Sequence, residues 1–249
     1  MNSDAHRSGS DLARLLTLAA DRLGSLAGKE ALDVATGGGH VALALAQAGA
    51  RVTASDLTPG MLAQASNFLR EQTPGVEVVF READAGRLPF DDSTFDLVTC
   101  RIAAHHFPDP QAFLGEAERT LRPGGLLVLI DNIAPQDPEL ARAMNGLERK
   151  RDEAHVEAYA VSWWVAGVTR AGLETVHLER FWREKSFREW ARRTPPEGKD
   201  PALHADEVEE FLRGLSPRAR NYLGERDDDQ GRLASLRHEV MILLATSQA

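Results

Sequence analysis

The chain has 249 residues, 43% of them hydrophobic, and a formal net charge of −9. That is enough material for one large α/β domain with an elaboration, and an acidic chain with no Lys/Arg stripe argues against a nucleic-acid partner. Cys100 is the only cysteine, which rules out an intrachain disulfide and a cysteine metal cluster.

Residues 1–9 read as unstructured, with Ser10 or Asp11 capping a helix whose Leu12, Leu15, Leu16, Ala19 and Leu23 share one face. The Asp4 and Arg7 side chains fall where a signal peptide would be apolar, and no apolar run is long enough to span a bilayer, so a cytoplasmic protein without membrane insertion is expected. Residues 31–35 are an apolar run with no polar alternation, which suits a strand buried on both faces. The run breaks at Gly37-Gly38-Gly39 and resumes as a helix to about Ala48, closed by Gly49. A strand, a glycine turn and a helix N-terminus together bring unpaired N–H groups and a positive dipole end to one spot, where glycine lets a ligand approach the main chain.

Strand two covers 51–56 and ends on Asp56, after which Thr58-Pro59 opens a helix with Met61, Leu62, Ala65, Phe68 and Leu69 on its apolar side. Residues 76–80 form strand three and 95–100 strand four, with Asp84-Ala85-Gly86 and Leu88-Pro89-Phe90 as loop between them. Asp109-Pro110 starts the next helix, and Pro123-Gly124-Gly125 turns into strand five at 126–130. Helices follow from Asp137-Pro138 to about Ala154 and over about 162–171, then strand six over 173–182. The Ser186-x-x-Glu189 capping box, Asp200-Pro201 and Ser216-Pro217 open further helices, and 239–245 closes the chain as a last strand. This alternation argues a doubly wound parallel sheet with ligands beyond the carboxyl ends of its strands. The whole of 1–249 is expected to be a single domain, with 1–29 as a helical lid and 184–236 as a helical insertion over the ligand side.

Asp33-x-Ala35-Thr36-Gly37-Gly38-Gly39, Asp56, Asp84-Ala85, Leu88-Pro89-Phe90-Asp91 ahead of Phe95-Asp96-Leu97-Val98, and Leu121-Arg122-Pro123-Gly124-Gly125 resemble the class I S-adenosylmethionine-dependent methyltransferases. Within them the chain looks most like the type-11 group related to ubiquinone and menaquinone C-methyltransferases. The resemblance implies a seven-stranded, mostly parallel sheet in the order 3-2-1-4-5-7-6 with the last strand antiparallel and a helical insertion between strands six and seven. It implies S-adenosyl-L-methionine as cofactor and a small-molecule methyl acceptor with an O, N or C nucleophile. The methionine part falls on Asp33, Ala35, Gly37 and Gly39, the ribose on Asp56, the adenine between Leu57, Met61 and Ala85, and its amino group on Asp84. Arg101, at the end of strand four, completes the cofactor set. A carboxylate can accept from both hydroxyls of a ribose diol, and one beside the glycine turn suits an α-ammonium group.

The chain departs from that pattern at Ala35, where motif one usually has glycine, and over 101–107, where Arg-Ile-Ala-Ala-His-His-Phe replaces the signature of the quinone enzymes. His105 and His106 follow strand four beside the expected methyl group and are the candidate general bases; methyl transfer requires no metal. Two other readings fit parts of the sequence. Asp56 stands nineteen residues after Gly37, which also suits the ribose-binding acid of a nicotinamide oxidoreductase, although that fold does not call for Asp84 or Pro123-Gly124-Gly125. A non-catalytic module that merely binds S-adenosylmethionine would show the same cofactor motifs.

Overall fold

Strand β1 (Glu30–Val34) lies inside the sheet, and Ala31, Leu32 and Val34 are buried, as an unalternating apolar run requires. The computed structural model describes residues 3–73 and 75–248. Around β1 stand β2 (Arg51–Asp56), β3 (Val78–Glu82), β4 (Phe95–Arg101), β5 (Leu121–Asn132), β6 (Leu173–Ser186), β7 (Arg226–Asp227) and β8 (Leu233–Ser247). The order is β3-β2-β1-β4-β5-β8-β6, with two-residue β7 paired to β8. The β1, β2, β3, β4 and β5 pairings are parallel, whereas β8 runs antiparallel to both β5 and β6. The order is the expected one; β7 is the extra strand, too short and too exposed to carry a hydrophobic pattern.

The helices are α1 (Ser3–Leu23), α2 (His40–Gln47), α3 (Pro59–Gln72), α4 (Pro110–Thr120), α5 (Pro138–Arg151), α6 (Val161–Arg170), α7 (Phe187–Ala191), α8 (Pro201–Arg213) and α9 (Pro217–Tyr222). Asp109, Asp137, Asp200 and Ser216 cap α4, α5, α8 and α9, each side chain accepting from backbone N–H groups of the first turn. One apolar cluster joins the sheet to α4 and α6, a second joins the other face to α1 and α2, and a third ties α5 to the helices of the insertion. No helix among the described residues is long and apolar enough to cross a membrane.

Several boundaries differ from the sequence expectation for identifiable reasons. Residues 3–9, expected to be unstructured, continue α1; residues 1 and 2 lie outside the described residues. Asp11 does not cap: its carboxylate is buried against Arg101 and Arg183, so the helix passes through it. Leu15, Leu18 and Ala19 are core, which makes the second half of α1 a structural helix. The Thr58 hydroxyl caps nothing; the Met61 N–H donates to the Thr58 carbonyl at 3.0 Å instead. Ser186 likewise makes no side-chain cap, since β6 runs on to it in register with β8. Strand β3 begins two residues later than expected, and β5 includes the Pro-Gly-Gly turn, which is absorbed by a register shift against β4. With β6 and β8 longer than their apolar cores, the irregular part of the insertion shrinks to residues 187–232.

Candidate active site

The tips of β1, β2 and β4 converge on the glycine turn. Gly37 (φ +54°) and Gly39 (φ +81°) hold left-handed conformations, and a Cβ on Gly39 would stand 2.7 Å from Leu69 Cδ1 and 3.0 Å from Ala65 Cβ. Glycine there lets the start of α2 close onto α3. The Asp56 carboxylate is pinned at two points: Oδ2 accepts from the Gly37 N–H and Oδ1 from the Thr58 N–H, each at 3.0 Å. One carboxylate thereby fixes the turn to the end of β2.

Asp33 is buried, with Oδ2 accepting from Thr36 Oγ1 at 2.6 Å and Oδ1 from Thr99 Oγ1 at 2.8 Å. Burial pushes its pKa up to about 6, against the pull of the two hydroxyls and of the Arg101 charge. A cation placed beside it would find a carboxyl ready to ionise. A cavity of about 210 Å³ opens here, walled by Asp33, Ala35, Gly37, His40, Arg101 and Ile102 together with Thr36, Gly38 and Val41. Two of those walls are strained: Ala35 and Ile102 both have φ +53°, a conformation that side chains with a Cβ rarely adopt.

Leu57, Met61, Asp84 and Ala85 stand outside this cavity, beyond Asp56. Leu57 is 65% exposed, a large apolar side chain that no core explains, and the Met61 methyl reaches to 3.8 Å from the Cβ position of Gly37. Asp84 is exposed, its Oδ1 accepting from the Gly86 N–H at 2.9 Å in a local turn. The cofactor residues expected from sequence thus fall into an enclosed group about Asp33 and an open shelf about Leu57, with Asp56 between them.

The two histidines meet different fates. A short 3-10 turn over Ala104–His106 follows β4 and sinks His105 against the end of β5. His105 Nδ1–H donates to Asp131 Oδ1 at 2.5 Å, and its backbone N–H donates to Asp131 Oδ2 at 2.9 Å. A carboxylate can only accept, so Nδ1 carries the hydrogen and Nε2 is the basic nitrogen. Burial opposes the imidazolium, but the Asp131 charge and hydrogen bond outweigh it and the His105 pKa rises. His106 donates from Nδ1 to the Ala154 carbonyl at 2.9 Å, and burial, reinforced by the His105 charge, lowers its pKa. Their ring centroids are 4.2 Å apart.

Behind His105 the interior stays polar. His155, whose ring lies 5.4 Å from that of His105, points Nε2 at Asn145 Oδ1 at 2.8 Å. Further along, Lys185 Nζ (2.7 Å) and Glu148 Oε1 (2.9 Å) both approach Nδ1 of buried His238. One ring nitrogen cannot accept from an amine and donate to a carboxylate at once. Burial and the Lys185 charge lower His238 to about 4 while the Glu148 charge pulls the other way, so the two neighbours compete for that nitrogen. Burial lowers Lys185 itself to about 7. Buried Asn132 Oδ1, His155 Nδ1 and His238 Nε2 have no hydrogen-bond partner, leaving this interior with unused polar capacity.

Sequence reasoning missed Thr36, His40 and Ile102 in the cavity wall, Thr99 behind Asp33, and Asp131, Asp11 and Arg183 beyond it. Asp131 could have been found, because it sits at the carboxyl end of β5, where open α/β sheets place their ligands. Asp11 and Arg183 gave no signal, being separated from their partners by most of the chain.

A family described as the methyltransferase domain matches residues 32–129. The uncharacterized methyltransferase YcgJ of Bacillus subtilis is 34% identical over 214 residues, 86% of this chain and 81% of that protein. The crystal structure of the YcgJ protein superposes with a TM-score of 0.86 over 97% of this chain and 99% of its own, at 30% identity. A Bacillus halodurans protein superposes equally well, with a TM-score of 0.86 and 36% identity over 96% of this chain and 100% of its own. The demethylmenaquinone methyltransferase of Thermus thermophilus is 45% identical, but over only 105 residues, 41% of this chain and 47% of that enzyme.

Proposed function

The chain belongs to the type-11 group of the S-adenosylmethionine-dependent methyltransferases, and from that premise we propose that it methylates a small molecule, with His105 as general base. The observation that carries the proposal is the pairing at the strand tips: Asp56 tied to the glycine turn on one side, and the His105–Asp131 dyad at the ends of β4 and β5 on the other. S-adenosylmethionine, when bound, supplies a methyl group on a positively charged sulfur that is a good leaving group.

The residues present fit that cofactor. Asp33, poised near pKa 6, suits an α-ammonium group, and the main chain at Gly37 and Gly39 leaves room for the methionine portion beside Ala35 and Arg101. Asp56 keeps lone pairs for a ribose diol, while Leu57, Met61 and Ala85 offer an apolar shelf for adenine with Asp84 as acceptor for its amino group. An adenine ring bound there would cover the exposed Leu57 side chain.

The protein's main contribution is placement and the exclusion of water. His105 Nε2 would take the proton from the acceptor, and Asp131 would hold the ring in the right tautomer and stabilise the imidazolium formed. His106, held neutral and fixed to Ala154, shapes the same wall. The quinone acceptor of the Thermus enzyme does not transfer with the cofactor half, because the match to that enzyme covers only 41% of this chain.

Two measurements test the proposal. Asp56→Ala removes charge-assisted hydrogen bonds of about 1.5–3 kcal/mol each, so calorimetry should show S-adenosylhomocysteine bound about ten- to a hundred-fold more weakly. Unchanged affinity would end the ribose assignment. With labelled S-adenosylmethionine and a metabolite extract, the wild-type protein should transfer methyl to an acceptor. The rate should rise with pH through the raised His105 pKa, and Asp131→Asn should move that limb to lower pH while slowing transfer. A protein that binds the cofactor yet methylates nothing would be the binding module instead.

A further inference from the structure

A cavity of about 340 Å³ opens at the edge of the sheet, between β6 and the stretch that runs from α9 through β7 into β8. Among the described residues it shares no wall with the cofactor cavity. Side chains alternate along β6: Phe181 packs on the cluster of α1 and α2 and Arg183 reaches Asp11, so Trp182 and Glu184 face the other way. Arg237 stands opposite Glu184 across the β6–β8 ladder, a placement that ordinarily closes an ion pair. Here it does not. The Arg237 guanidinium lies 4.4 Å from the centroid of the Trp182 ring, and Glu184 accepts from Arg226 at 3.5 Å instead. Glu239, opposite Trp182 on the same face, is taken by Arg180 at 3.1 Å.

The Arg237 side chain is nevertheless fixed in place. Its Nε donates to the Tyr222 carbonyl at 3.4 Å, and the Tyr222 ring meets Trp182 edge-on at 5.3 Å. Its stem runs against Gly224 (φ +64°), where a Cβ would stand 2.7 Å from Arg237 Cγ and 2.8 Å from Cδ. Glycine is what lets the two chains pass so closely. Among the described residues no carboxylate comes within ion-pair distance of this guanidinium. Trp182 remains 42% exposed, so Arg237 does not serve as its cover and an open stretch of indole lies beside a fixed cation.

We propose that this cavity binds a small aromatic carboxylate, with Arg237 as its anion anchor and Trp182 as its aromatic wall. A guanidinium takes a carboxylate on two parallel N–H groups, and stacking on an indole fixes the plane of that fork. A neutral ring would leave the fork unused, and inorganic phosphate would leave the indole uncovered. Arg183 is the lining residue that also reaches the methyl-transfer end, through the Asp11 carboxylate that it shares with Arg101. The site is otherwise separate from the cofactor cavity, and the assignment holds whether or not the protein transfers methyl groups.

An NMR titration of the full chain tests it, with benzoate as the probe and benzamide and inorganic phosphate as controls. In the wild type, benzoate should shift the Trp182 indole N–H signal, identified by its loss in Trp182→Phe, and should saturate in the roughly millimolar range of a small fragment. Arg237→Gln should bind benzoate about tenfold more weakly or worse, and Arg237→Lys, which keeps the charge without the fork, should show the same loss. If neither variant folds, Trp182→Leu changes an exposed side chain and should weaken benzoate likewise. A Trp182 signal that benzoate leaves unmoved, or equal affinity in the wild type and Arg237→Gln, would overturn the assignment. So would benzamide binding as well as benzoate, the mark of a merely apolar cleft, or phosphate doing so, the mark of a bare charge. Shifts confined to the amides of Gly37 and Arg101 would also overturn it, by placing benzoate in the cofactor cavity.

Discussion

The two ends of the active site are built on different principles. Around Asp33 and Asp56 the partners are neutral backbone amides and hydroxyls: Asp33 with Thr36 and Thr99, and Asp56 with Gly37 and Thr58. Around His105 the charges come from distant elements: Asp131 from β5 in direct contact, with Glu148 from α5 and Lys185 from β6 acting on it from behind. The first kind of site is held by hydrogen bonds that need no counter-charge. The second is rigid only if the whole polar interior remains paired, since each buried charge depends on its neighbours.

That contrast can be broken most forcefully at Glu148. Burial opposes its charge, but His238, Lys185 and Arg151 crowd round it and hold its carboxyl well below the usual range. Glu148→Ala leaves Lys185 and Arg151 short of an anion, and denaturant unfolding should show a loss of about 3–5 kcal/mol. A loss under about 1 kcal/mol would mean that the acceptor end does not depend on charge pairing.

The cofactor end should respond with the opposite sign. Asp33 is raised from 3.8 to about 6, so the folded protein binds that proton more tightly than the unfolded chain does. Between those values stability falls as pH rises, and the deficit persists at neutral pH. Asp33→Asn should therefore stabilise the ligand-free protein by up to about 3 kcal/mol at pH 7 and flatten its stability between pH 4 and 6, while weakening S-adenosylhomocysteine binding. Stability curves at several pH values, with calorimetry of the ligand, check both halves. A variant that is less stable at neutral pH would show that the hydrogen bonds to Thr36 and Thr99 outweigh burial.

The smallest effect sharpens the comparison at one methyl group. Ala35 holds φ +53°, where its Cβ is strained by about 1–2 kcal/mol, offset in part by the greater freedom of glycine in the unfolded chain. Ala35→Gly should raise stability by roughly 0.5–1 kcal/mol, read as a small rise in Tm. No rise would mean that the methyl's packing against the core beside Ala85 and Phe107 compensates for the strain.

The strands and the glycine turn that carries Gly37 and Gly39 after Asp33 were legible from the chain because their causes are local, whereas the strand order was implied by the family resemblance. An apolar run of five makes a buried strand, a glycine takes positive φ, and a proline after an aspartate starts a helix, whatever the rest of the protein does. His105 could be placed past strand four, but its selection over His106 came only from Asp131, which arrives when β5 lies beside β4. Asp11 has the sequence signature of a helix cap and became a buried counter-ion, because β4 and β6 bring two guanidiniums to meet it. Local stereochemistry thus made the glycine turn and the elements that flank it legible from the sequence. Charge compensation across the sheet was a matter for the tertiary structure, since a desolvated charge finds its partner by proximity in space, and position along the chain says nothing of that.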